Sequence, residues 1–90
     1  MNTTAMVHSF RTMCTIRTFE QEVLRLTANG LVPGFVHPGT GHEAIAVGVL
    51  GCRHPTEWVV SYYRCHGHAL ACGSDPVAVL REILGRRGGL

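Results

Sequence analysis

Apolar residues recur every three or four positions at Met6, Phe10, Met13, Ile16, Phe19, Val23 and Leu26. That is the period of one face of an α-helix, so the pattern predicts a long first helix with a single apolar stripe. Asn29-Gly30 follows where the stripe stops, and glycine tolerates the left-handed backbone that ends helices, which places the end near Ala28. From Leu31 to Gly41 the chain carries Pro33, Gly34, Pro38 and Gly39, too many breakers for regular structure, and reads as a loop. Thr40-Gly41-His42-Glu43 then matches a capping box, in which the threonine hydroxyl and the glutamate each satisfy a free backbone N–H. A helix from about Gly41 to Gly51 is expected, and Ala44, Ile45, Ala46, Val47, Val49 and Leu50 make it apolar almost all round, the composition of a helix enclosed on most sides.

After the Arg53-His54-Pro55-Thr56 turn, Trp58-Val59-Val60-Ser61-Tyr62 is short, β-branched and aromatic without alternation, as expected of a buried parallel strand. Tyr63 and Arg64 stand at its carboxyl end, where ligands bind in open α/β sheets. A brief helix is read over His66 to Ala71. The last helix has Asp75 as its cap, Pro76 at the first helical position, Val77, Leu80, Ile83 and Leu84 on one side, and Gly85 as its stop. Internal repeats and low-complexity segments are absent from the sequence.

Composition narrows the class. Ninety residues form at most one domain, and a chain this short buries only roughly 60 to 65 per cent of its unfolded surface, so a covering partner is expected. With 46% apolar and 16% charged residues, the chain is more apolar than an average soluble domain. The formal charge of +2 rests on eight arginines scattered from Arg11 to Arg87, a distribution that disfavours nucleic-acid binding but includes forks suited to one compact phosphate. Neither an export signal nor a membrane span is read from the sequence. The four cysteines include no Cys-x-x-Cys pair and are expected as reduced thiols in a cytoplasmic protein.

Six histidines are many for this length, and His37, His66 and His68 lie in or beside glycine-rich turns. Cys65, His66, His68 and Cys72 offer one reading as a small zinc site, although two close ligand pairs separated by a longer loop are the usual pattern; surface or satisfied core histidines are the plainer reading. Tyr63-Arg64, taken alone, reads equally as a snorkelling or paired arginine. No nucleophile motif, glycine-rich phosphate loop or carboxylate pair is present.

Gly34-Phe35-Val36-His37, Gly41-His42-Glu43-Ala44 and Tyr63-Arg64-Cys65-His66-Gly67-His68 occur in fixed order. Together with Ile16-Arg17-Thr18-Phe19-Glu20 and the closing Leu84-Gly85-Arg86-Arg87-Gly88-Gly89, they resemble the alpha subunit of thiamine-diphosphate-dependent 2-oxoacid dehydrogenases, which act on pyruvate, acetoin or branched-chain 2-oxoacids. The resemblance covers nearly the whole chain. It implies an α/β fold, an amino-terminal fragment of the thiamine-diphosphate-binding three-layer αβα fold, mostly helical with one short buried parallel strand. The expected domain, 1–90, is a partial alpha subunit truncated before the family's magnesium-binding Gly-Asp-Gly motif, so the metal ligands are expected outside this chain.

The resemblance also implies roles. His37 lies at the active site near cofactor and substrate, Tyr63 and Arg64 contact thiamine diphosphate, Phe35 lines the pocket, and His66 is a second catalytic candidate. An arginine fork and a phenol suit a diphosphate because charge-assisted bonds contribute roughly 1.5 to 3 kcal/mol each, and a histidine can donate to a developing oxyanion. The family decarboxylates its substrate oxidatively and passes the acyl group to lipoamide, with a beta subunit completing the site and a lipoyl acyltransferase as acceptor; a hetero-oligomer that is inactive as this chain alone follows. His42 departs from the family's usual glutamine, Cys65 from a glycine or alanine, and Cys72 from a basic residue. A non-catalytic interaction module that keeps the first helix is the main alternative.

Overall fold

A computed structural model describes residues 2–90. Four helices order the chain, α1 over Thr3–Ala28, α2 over Glu43–Leu50, α3 over His66–Ala71 and α4 over Pro76–Leu84. Helix α1 starts a turn before its apolar stripe because the Asn2 side chain accepts from the Ala5 N–H at 2.8 Å. It ends where the sequence predicts, with Gly30 at φ 73° and the Leu31 N–H bonded to the Leu26 carbonyl at 3.0 Å. Helix α4 likewise follows its punctuation: Asp75 caps it, Pro76 opens it, and Gly85 closes it in the left-handed region. Its inward face is rotated from the one expected, because Val79 is buried and Val77 is exposed.

The core sits on the second half of α1. Ile16, Phe19 and Val23 meet Ala46 of α2, Leu70 of α3 and Val79 of α4, with Val36, Val47, Ala69, Leu80 and Ile83 packed around them. Side chains of this size contribute roughly 1.5 to 3 kcal/mol each when fully buried. Gly67 lets α3 approach α1 and α2, since a Cβ there would lie 3.2 Å from Ile16 Cγ2 and 3.8 Å from Ala46 Cβ. Met6, Val7 and Phe10, at the other end of the stripe, remain exposed.

Three expectations are corrected. The mostly helical part of the expected fold holds, but residues 58–62 form no strand and none occurs among the described residues, so Tyr63 and Arg64 follow an irregular segment. The reason is physical: a buried parallel strand needs a neighbour to receive its backbone bonds, and here Trp58 is 96% and Val60 94% exposed. Helix α2 is not enclosed, since Ile45 and Val49 face outward while Ala46 and Glu43 are buried. Nor does Thr40 cap it. The cap position is His42, without a side-chain bond, and Gly41 at φ 94° turns the chain between Thr40 and the helix. Among the described residues no helix is long and apolar enough to cross a membrane.

Candidate functional site

The loop between α1 and α2 is held by side chains rather than by a ladder of its own. Glu20 on α1 accepts the Gly39 N–H at 2.5 Å, Arg64 donates through Nη1 to the Pro38 carbonyl at 2.8 Å, and Glu43 accepts the Gly41 N–H at 2.8 Å. The loop therefore keeps one position although it is too rich in glycine and proline for regular structure. His37 rides on it.

The chain bends at Tyr63 and Arg64, and that bend meets the loop. The Tyr63 ring lies edge-on to His37, with centroids 4.8 Å apart, and the Arg64 guanidinium carbon is 5.4 Å from the Tyr63 ring centroid. His37, Tyr63 and Arg64 thus form one cluster, joined by residues 26 positions apart through the Arg64 to Pro38 bond. Both His37 and the Tyr63 ring are open to solvent, and Arg64 is half-buried. A cation, a phenol hydroxyl and an imidazole on one patch are donors suited to an anion. Phe35 is 99% exposed.

His66 lies behind the cluster at the start of α3. Its Nδ1 is 2.6 Å from Glu20 Oε1, and its ring packs edge-on to Phe19 at 5.9 Å. Glu20 is wholly buried, with one oxygen bonded to His66 and the other to the loop. The sequence held a signal for this: Glu20 falls on the same helix face as Ile16, Phe19 and Val23, an acid in an apolar stripe.

A second internal acid, Glu43, pairs with Arg17 of α1. The Arg17 guanidinium, bonded to it, is the main cause that lowers the Glu43 carboxyl from 4.5 to about 2, against the opposing effect of burial, and the backbone N–H of Gly41 adds to the lowering. Arg17 is raised in turn by the same bond.

The remaining zinc candidates diverge. His68 Nδ1 pairs with the Ser61 hydroxyl while His66 turns to Glu20, and among the described residues no three His, Cys, Asp or Glu side chains gather to hold a metal. His68 also borders a cleft of about 410 Å³ lined by Ile45, Val49, Trp58 and Val60, and a cavity of about 40 Å³ lined by Arg64 and Tyr62. Cys65 takes the cap of α3 with φ −103°, a backbone open to any residue, so its substitution in the turn is accommodated.

Comparison with known proteins gives these arrangements a context. The family model for the dehydrogenase E1 component matches residues 11–90. The alpha subunit of acetoin:2,6-dichlorophenolindophenol oxidoreductase from Cupriavidus necator is 44% identical over 80 residues, 89% of this chain and 24% of that protein. Its namesake from Bacillus subtilis is 43% identical over 81 residues, 90% of this chain and 24% of that protein. The pyruvate dehydrogenase E1 component subunit alpha of Rhizobium meliloti is 42% identical over 82 residues, 91% of this chain and 24% of that protein. The chain spans about a quarter of the length of these curated relatives. No solved structure matches it.

Proposed function

Because the chain belongs to the dehydrogenase E1 component family, we propose that it supplies one wall of a thiamine-diphosphate site in an alpha subunit that acts on pyruvate, acetoin or a related 2-oxoacid. The observation that carries this reading is the cluster of His37, Tyr63 and Arg64 on one patch. When bound, thiamine diphosphate supplies the carbon nucleophile for oxidative decarboxylation and acyl transfer to lipoamide. Arg64 and the Tyr63 hydroxyl hold and orient the diphosphate, Arg64 keeping donors beyond the one committed to Pro38. His37, fixed edge-on to Tyr63, presents a ring N–H to the substrate carboxylate or to a developing oxyanion. His66 is the second proton-carrying candidate, and Phe35 the apolar one.

One guanidinium and one phenol do not balance a diphosphate, whose charge in such sites is met largely by a divalent cation. The domain read over 1–90 is therefore proposed as one part of a site in a cytoplasmic hetero-oligomer, with a beta subunit across the site, a lipoyl acyltransferase as acceptor, and no turnover by these residues alone. Titration calorimetry with thiamine diphosphate and magnesium tests this. Saturable micromolar binding is expected when the metal-binding remainder of an alpha subunit and a beta subunit are both present and not with the chain alone, and Arg64→Ala is expected to weaken it about 10- to 150-fold, the equivalent of one charged hydrogen bond. Binding in the complex that is indifferent to Arg64→Ala and Tyr63→Phe refutes the site. A non-catalytic interaction module is the reading that the exposed Phe10, Trp58 and Val60 favour; it is the outcome if the complex forms and no cofactor binds.

A further inference from the structure

We infer that Glu20 is a positioning residue that sets both candidate histidines at once, fixing which His66 nitrogen carries the proton and where the His37 loop lies. The inference deepens the proposed function and rests on it for the meaning of the histidines, but not for the geometry. Glu20 is 0% exposed, and each of its carboxylate oxygens has one partner: His66 Nδ1 at 2.6 Å and the Gly39 N–H at 2.5 Å. A carboxylate only accepts, so the imidazole must donate from Nδ1; an unprotonated Nδ1 would set lone pair against lone pair inside the core. The Gly39 N–H takes the other oxygen, so Oε1 is the one left to face the ring. Neutral His66 is thereby held as the Nδ1–H tautomer, with Nε2 as its free base nitrogen. The same carboxylate grips the backbone two residues after His37. Buried acids that hold a histidine tautomer in this way act through the ring and need not touch a substrate.

An isosteric change reverses the pattern. In Glu20→Gln the amide oxygen can accept only one of the two donors, and with the Gly39 N–H fixed in the backbone it is the amide NH₂ that faces His66, where it requires an unprotonated Nδ1. Long-range ¹H–¹⁵N spectra of the histidine rings, with His66 assigned by the signal lost in His66→Gln, read this directly in the full chain. The expected result is the Nδ1–H tautomer in the wild type and the Nε2–H tautomer in Glu20→Gln, with the Gly39 amide exchanging at a similar rate in both. Wild-type His66 as the Nε2–H tautomer overturns the inference without recourse to any variant, and so does a tautomer left unchanged in a folded Glu20→Gln. Adding thiamine diphosphate and magnesium with the beta subunit and the metal-binding remainder of an alpha subunit is a separate arm: failure of His37 and Tyr63 signals to move there speaks against the cofactor reading and leaves the tautomer result standing.

Discussion

Glu20 and Glu43 are both buried glutamates, and each ties α1 to the loop that precedes α2. For Glu43 the tie has a pH signature. Its carboxyl is depressed from 4.5 to about 2, chiefly by its bond to Arg17, so the folded state binds its proton less readily than the unfolded one. The contribution is whole above about pH 4.5 and is lost as pH falls through about 2. Denaturant midpoints measured across that window are expected to decline more steeply for the wild type than for Glu43→Gln, which should start a few degrees lower in melting temperature at neutral pH and lack this part of the acid limb. Parallel acid limbs in the two proteins would show that the Arg17 pair contributes nothing to stability.

At the scale of elements, α1 divides in two. Its second half carries Ile16, Phe19, Glu20 and Val23 into the interior, while Met6, Val7 and Phe10 stay exposed. Isolated helical turns are marginal in water, so stability in the first half comes from little beyond the Asn2 cap. Backbone hydrogen exchange is expected to run at least about tenfold faster for residues 6–12 than for 16–26, and uniform protection along α1 would mean that the exposed half is covered in solution. The helices were legible because their signals are local: a stripe at three and four, Asp75-Pro76 at one end of α4 and Gly85 at the other. Residues 58–62 mislead, because apolar β-branched residues suit a strand only where a neighbouring strand pairs with them, and none occurs among the described residues. Thr40 misleads for a related reason, since the capping box is a pattern of residue types and the turn at Gly41 leaves His42 rather than Thr40 at the cap. Within the site, Tyr63, Arg64 and His37 could be named from motifs, but that Arg64 reaches Pro38 and that Glu20 joins His66 to Gly39 depends on how α1 and α3 cross, which no local window contains.

The whole molecule exposes 6344 Å², well above the roughly 5,200 Å² expected of a compact monomer of its mass. The surplus is of the size that one partner contributes to a standard interface, about 800 Å² or more. Much of the apolar part is gathered near the cleft lined by Ile45, Val49, Trp58 and Val60. Trp58 is the sole tryptophan and reports on that face. Its emission is expected at the fully solvated wavelength for the chain alone and to shift to the blue when a beta subunit or further alpha-subunit structure covers it; emission already blue-shifted in the dilute chain would reveal self-association.

The segment bearing His37 hangs from three anchors, on α1, on α2 and just ahead of α3, and has no rigid scaffold of its own. Its imidazole therefore takes its coordinates from the relative placement of three helices. A small slide of one past another moves the ring as surely as a substitution beside it, so a neighbouring chain that leaned on the free end of α1 could tune the chemistry from a distance while every site residue stayed the same.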